Sequence, residues 1–153
     1  MTDTASDLTF LSDLPLAGTL VATDFDGWTP ELRAEFAAHA HDGQVGSRLL
    51  SANDRVRVWE IRLAPGERWH AHRHVLDYFW TAVNAGRSSQ HTSDGTTREV
   101  SYSAGETRHF AFGPGEYLLH DIENVGDGPL VFTTVEHLDG ANAPLDLSDG
   151  TLT

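Results

Sequence analysis

Three histidines alternate along one short stretch of the chain, at His70, His72 and His74. In an extended strand every second side chain points to the same face, so this alternation predicts three imidazoles on one face. Neutral imidazole is a ligand of zinc, copper, iron and nickel. One strand cannot close a metal site alone, and a further ligand must come from another strand. His120, which lies between two glycine-rich turns, is the strongest candidate.

The composition excludes several other chemistries. The chain of 153 residues contains 9 His but no Cys and no Lys, and its 10 basic residues are all Arg. Without Cys there is no disulfide, thiolate zinc site or iron–sulfur cluster, and without Lys there is no Schiff base or P-loop lysine. The 23 acidic residues and the net charge of −13 argue against nucleic acid and against an anionic membrane surface. The expected partner is therefore a small molecule.

The remaining patterns describe the elements that must position these histidines. Thr29 is a good N-cap and Pro30 suits the first helical position, which predicts a helix over about 30–41. From residue 46 onward, short runs of strand-forming residues alternate with turns, and Asp94-Gly95 gives the strongest hairpin signal. We expect an all-β sandwich or barrel at 46–138, an N-terminal extension with the helix at 1–45, and a C-terminal tail at 139–153.

The spacing of these residues resembles the cupin superfamily. That family's first motif, Gly-x5-His-x-His-x3-4-Glu-x6-Gly, is matched in spacing by Gly66, His72, His74, Phe79 and Gly86. Its second motif is matched in part, by Gly105, Gly113-Pro114-Gly115, His120 and Asn124. Residues 72–78 are also similar to small single-domain cupins of the β-alanine-degradation type.

The resemblance implies a double-stranded β-helix, or jelly-roll barrel, that holds a divalent metal ion through His72, His74 and His120. Homodimers are common in that family. The chain departs from the family at the carboxylate ligand, where it has Phe79 under one motif length and Tyr78 under the other.

Two arrangements follow from that departure. Strict alternation from His74 points Tyr78 inward, whereas a bulge would turn Asp77 and Phe79 inward instead. Either Asp77 replaces the missing carboxylate, or the metal has only three protein ligands.

Three neutral imidazoles would leave the charge of the ion uncompensated and several positions open. Within the family this is most similar to mononuclear non-heme iron dioxygenases, and we expect such an enzyme to act on a small polar or anionic molecule. Fe(II) is the favoured ion, with Zn, Ni or Mn as alternatives. His70, Tyr78 and Asp77 are the candidates for proton transfer and substrate orientation.

Two other functions use the same site. A redox-neutral lyase or isomerase would need the ion only as a Lewis acid, and a non-catalytic module would bind or sense a small ligand. The fold does not choose among these functions.

Two further expectations concern the surroundings of the protein. The acidic N-terminus lacks the basic segment of a signal peptide, and the longest uncharged stretch, residues 14–23, is too short to span a bilayer. Both features predict a cytoplasmic location. Because metal ligation requires neutral imidazole, the affinity for metal should fall below pH ~6.5.

Overall fold

The computed structural model describes residues 16–147. Parts of the predicted N-terminal extension and C-terminal tail, residues 1–15 and 148–153, lie outside the described residues. Ten strands and one helix follow one another along the described chain: β1 Thr19–Ala22, α1 Pro30–Ala38, β2 Arg48–Ala52, β3 Val56–Leu63, β4 Arg68–His74, β5 Tyr78–Ala82, β6 Gly86–Thr92, β7 Thr96–Tyr102, β8 Thr107–Phe110, β9 Leu118–Asn124 and β10 Leu130–His137.

The strands form two five-stranded sheets in which every pairing is antiparallel. One sheet has the order β1-β7-β6-β9-β4, and the other has the order β2-β3-β10-β5-β8. Strands that are distant in sequence lie next to each other, as in a jelly roll. The all-β fold with one short helix is thereby confirmed. The N-terminal segment contributes β1 as well as the helix, because β1 pairs with β7.

The core lies between the two sheets. Strand residues alternate between buried and exposed positions, so each sheet turns one apolar face towards the other. Two clusters of buried side chains fill this space: Ile61, Leu63, Ala82, Val100, Tyr102, Ile122, Leu130 and Phe132 in one, and Tyr78, Phe110, Phe112 and Leu118 in the other.

The predicted hairpin at Asp94-Gly95 is present. It joins β6 to β7, with Thr92 opposite Thr96. Gly95 has a φ of +88°, a conformation that side chains with a Cβ rarely adopt. The side chain of Asp94 accepts a hydrogen bond from the backbone N–H of Thr96 at 3.1 Å, which closes the turn.

Helix α1 starts where the sequence predicts and ends earlier. The N–H of Leu32 donates to the Thr29 hydroxyl at 3.1 Å, so Thr29 caps the helix. Phe36 packs with Ala71 of β4 and Leu119 of β9 on the outer side of the sheet. The helix ends at Ala38 because His39, with φ −104° and ψ 17°, leaves the helical conformation. None of the described residues forms a helix with the length and apolar character that a membrane crossing requires.

Candidate metal centre

Strands β4 and β9 bring three histidines together inside the barrel. His72 lies directly opposite His120 in the pairing of these two antiparallel strands. The ring centroids of His72, His74 and His120 are 4.8–5.1 Å apart. One nitrogen from each ring lies within 4.8 Å of the other two. We call these three residues the barrel histidines.

Hydrogen bonds orient two of the three rings. Nδ1 of His72 lies 2.8 Å from the carbonyl oxygen of His70, and Nδ1 of His120 lies 3.0 Å from Oε1 of Gln90. With an N–H at each Nδ1, the lone pair of each ring is on Nε2. The Nε2 atoms of His74 and His120 face each other at 3.2 Å. The Nδ1 atom of His74 is buried and has no hydrogen-bond partner among the described residues.

Burial keeps these imidazoles neutral. His72 and His74 are 1% and 2% exposed. Burial lowers the pKa of His72 to about 4. The pKa values of His74 and His120 also lie well below their usual range, chiefly through burial and then through the nearby imidazoles. The folded protein therefore keeps its ligands in the metal-binding form at a lower pH than the ~6.5 expected from unperturbed histidine.

His70 does not join the barrel histidines, contrary to the prediction that all three alternating residues share a face. Trp69 pairs with Ile122, but His72 pairs with His120, so β4 has one residue more than β9 in this interval. This is a β-bulge. It buries both Ala71 and His72 and turns His70 towards the end of α1, where its ring stacks on His39 at 4.3 Å. His70 is therefore not placed to act on a substrate in the barrel.

The residues after His74 follow strict alternation. Tyr78 points inward, and its ring stacks on His74 at 4.1 Å and on Phe110 at 4.7 Å. Phe79 points away, next to His109. Asp77 lies apart from the barrel histidines and accepts a hydrogen bond from the backbone N–H of Phe112 at 2.8 Å. The structure therefore brings Tyr78 to the site and leaves Asp77 to hold the segment after β8.

A cavity between the sheets exposes the barrel histidines to a ligand. The centre of a water molecule can occupy about 50 Å³ of it, which is room for a few water molecules or one compact ligand. The polar part of the cavity wall beside the imidazoles includes Gln90, Thr92 and Arg98. No Asp or Glu lines the cavity within residues 16–147.

Arg98 is a site residue to which the sequence patterns above do not point. It is on β7 opposite Gln90 of β6, and its Nε is buried without a hydrogen-bond partner in the described part of the chain. The alternation of side chains along β7 could have identified Arg98. It precedes the buried Val100 and Tyr102 by two and four residues, so it lies on the same face of the strand. An arginine on the inward face of a strand needs an anionic or polar partner.

The chain is similar to several known proteins. A solved cupin domain from Bordetella pertussis Tohama I is similar to the chain with a TM-score of 0.51 and 27% sequence identity, over 58% of this chain and 88% of that one. A double-stranded β-helix protein from Klebsiella pneumoniae has a TM-score of 0.48 and 21% identity, over 64% of this chain and 81% of that one.

Among curated proteins, the oxalate decarboxylase of Bacillus subtilis strain 168 is 34% identical over 100 residues, which is 65% of this chain. The chain spans about a quarter of that enzyme's length, 24%. No family model matches the sequence.

Proposed function

The chain has the cupin fold, and from its barrel histidines we propose that it is a mononuclear metal-dependent enzyme of the dioxygenase type. Its substrate in this proposal is a small anionic molecule. The observation that carries the proposal is the convergence of His72, His74 and His120 in a cavity where Arg98 is the charged neighbour.

The barrel histidines fit a divalent transition metal. Two nitrogens that share one ion, with bonds of ~2.0–2.1 Å, lie roughly 3 Å apart. The Nε2 atoms of His74 and His120 already have that separation, 3.2 Å. Fe(II) is the favoured ion, and when bound it supplies Lewis acidity and oxygen activation. Imidazole ligands suit zinc and nickel as well. Manganese is better suited to sites that are rich in carboxylates.

The charge of the cavity supports an anionic substrate. Three neutral imidazoles would leave the charge of the ion uncompensated, and Arg98 adds a positive charge to the lining of the same cavity. The planar guanidinium binds a carboxylate through two parallel hydrogen bonds. Gln90 is held by its own contacts, because its Nε2 donates to the Tyr102 hydroxyl at 2.9 Å. Arg98 is thus the group that we expect to orient a substrate carboxylate.

Tyr78 supports orientation of a bound anion. Burial, and then the charge of Glu136, raises the pKa of Tyr78 well above its usual value. The phenol therefore keeps its proton at neutral pH and can donate a hydrogen bond to an anion. Its ring is fixed between His74 and Phe110, which restricts where that hydrogen bond can point.

Anaerobic reconstitution followed by oxygen uptake tests the proposal. The full chain is stripped with a chelator, loaded with Fe(II), and given a panel of small carboxylates and enolisable acids. We expect oxygen consumption in stoichiometric proportion to product, and none in His120→Ala. A matched control is His41→Gln, which changes an exposed histidine outside the barrel. Absence of turnover with every ion across the panel would contradict the proposal.

A redox-neutral lyase is the second candidate, and the partial match to oxalate decarboxylase favours it. Decarboxylation of hydrogen oxalate gives formate and carbon dioxide with no net oxygen consumption. Oxalate is therefore the first probe. Carbon dioxide released without oxygen uptake would select the lyase, whereas oxygen uptake in proportion to product would select the dioxygenase.

A further inference from the structure

A second group of metal-ligating side chains lies outside the barrel, where α1 ends against β4. It consists of His39, Asp42 and His70, and one nitrogen or oxygen atom from each lies within 4.8 Å of the others. We call these residues the surface cluster. We propose that the surface cluster is a second site for a zinc-class divalent ion, independent of the barrel histidines and of the function proposed for them.

Two local features of the chain build the surface cluster. The helix ends at Ala38, and the following turn brings His39 and Asp42 together. The bulge in β4 turns His70 out of the barrel towards them. The N–H of Arg73 donates to the carbonyl oxygen of Asp42 at 2.7 Å, which fastens this turn to β4. The three side chains are therefore held by two separate elements that are tied together.

The distances suit a shared ion. Nδ1 of His39 lies 2.7 Å from Oδ2 of Asp42. Nδ1 of His70 lies 2.9 Å from the carbonyl oxygen of Ala71, so that nitrogen carries the proton and His70 must bind an ion through Nε2. Atoms bound to a tetrahedral zinc at ~2.0–2.1 Å lie roughly 3.3 Å apart, and one nitrogen or oxygen of each residue in the cluster lies within 4.8 Å of the others. Oδ1 of Asp42 accepts from the N–H of Gln44 at 2.9 Å, so the carboxylate is oriented with Oδ2 towards the imidazoles.

The chemistry of the cluster selects the class of ion. Two imidazoles and one carboxylate are typical ligands of zinc sites that keep an open position. The side chains are 33%, 25% and 29% exposed for His39, Asp42 and His70, so water can complete the coordination. The net charge of −13 on the chain also favours cation binding.

Zinc stoichiometry measured by equilibrium dialysis tests the proposal on the full chain. We expect Asp42→Asn to bind one zinc ion fewer per chain than the wild type. The substitution preserves the oxygen that accepts from Gln44 and removes the charge. His41→Gln is the matched control, because His41 is exposed on the same turn and outside the cluster. This control should bind as many ions as the wild type.

Nitrogen NMR of the histidine rings provides a second readout that does not depend on counting ions. Adding zinc should shift the imidazole resonances of His39 and His70 in the wild type and in His120→Ala, and should leave them unchanged in Asp42→Asn. The proposal is overturned if Asp42→Asn binds as much zinc as the wild type, or if the two resonances do not respond. If His120→Ala binds less zinc and Asp42→Asn does not, the barrel is the sole site. That result also overturns the proposal of a second site.

Discussion

Arg98 and Glu136 are ionisable side chains on inward-facing positions, and their surroundings differ. Arg98 faces the cavity that contains the barrel histidines. Glu136 is 2% exposed and accepts a hydrogen bond from the indole N–H of Trp59 at 2.8 Å. An unpaired cation beside a cavity can gain an anionic partner from a ligand. For Glu136, burial outweighs the charge of Arg57 on the neighbouring strand, so this carboxyl gains by staying protonated.

Arg98→Gln should weaken binding of a small dicarboxylate by about 10- to 100-fold. The reason is the loss of a charge-assisted pair worth about 1.5–3 kcal/mol. Calorimetric titration of the metal-loaded protein measures the change, and metal content should stay the same. Arg48→Gln removes an exposed arginine and serves as the control with equal charge. Equal affinities in the two variants would show that Arg98 does not contact the ligand.

Ionisation of Glu136 should make the folded protein less stable as the pH rises, and Glu136→Gln should remove this contribution. Burial raises the pKa of Glu136 to about 7, from 4.5 in a model compound. The folded state therefore keeps a proton that the unfolded state releases between these values, and stability falls across that pH window. The full penalty is about 3 kcal/mol above pH ~7. Urea unfolding at pH 4.5 and pH 8 should show a gain for Glu136→Gln at pH 8 only.

The control for that measurement is Glu99→Gln, at an exposed position of β7. It should follow the wild type at both pH values. A difference in stability between Glu136→Gln and the wild type that is equal at both pH values would assign the titration to another group.

At the scale of the elements, one ionic network attaches α1 to the two strands that carry the barrel histidines. Nη1 of Arg68 on β4 donates to Glu35 of the helix at 2.9 Å and to Asp121 of β9 at 2.8 Å. Asp121 is fully buried and also accepts from the backbone N–H and the ring of His91. Although burial raises the pKa of Glu35, its hydrogen bonds from Arg68 and from the N–H of Ala71 hold that pKa below the usual value.

Arg68→Met should destabilise the protein more than Glu35→Gln does. The first change leaves the buried Asp121 carboxylate without its cation, at a cost of about 3–5 kcal/mol. The second removes a partly exposed partner and should cost about 1 kcal/mol. Urea unfolding compares the two, with Arg33→Met on the same helix as the control. The reverse order would mean that His91 alone satisfies Asp121.

Most elements of the fold follow from local signals in the sequence. The strands from β3 to β10 combine alternating side chains with turn residues, and the start of α1 is fixed by Thr29 and Pro30. The bulge in β4 has no such signal, because it depends on the register between β4 and β9. The one extra residue in β4 turns His70 out of the barrel. The prediction that His70 shares a face with His72 and His74 was therefore wrong.

The residues of the candidate site also differ in whether the sequence identifies them. His72, His74 and His120 are recognisable because their spacing matches a known motif. Arg98 and Gln90 lie on strands with no motif, and their approach to the imidazoles depends on the order of β7, β6, β9 and β4 within one sheet. Only the assembled barrel shows that these residues share a cavity.

At the scale of the whole molecule, the metal-free protein should lose stability as the pH falls below ~6.5. The pKa of His72 is lowered to about 4, and those of His74 and His120 also lie well below their usual range. Unfolded chains take up protons at these residues below pH ~6.5, whereas the folded barrel does not, so acid favours unfolding. These three imidazoles outweigh the single opposite contribution of Glu136, so urea midpoints in a chelator should fall from pH 7.5 to pH 5, and less steeply in His72→Gln.

His41→Gln should follow the wild-type midpoints across that range, because its ring is exposed. Equal slopes of midpoint against pH in His72→Gln and in the wild type would contradict the burial of the His72 ring.

The homodimer implied by the resemblance stays a prediction, and sedimentation velocity tests it.

Neighbouring residues of β9 serve two separate parts of the molecule. His120 faces the cavity, while Asp121 faces outward to the network that holds α1. Loading the barrel with an ion restrains the same backbone that anchors the helix, and linkage requires the restraint to act in both directions. Amide hydrogens of α1 should therefore exchange with solvent more slowly in the loaded protein, although no atom of the helix touches the ion. Loosening the helix from outside should, by the same coupling, weaken the affinity of the barrel for the ion.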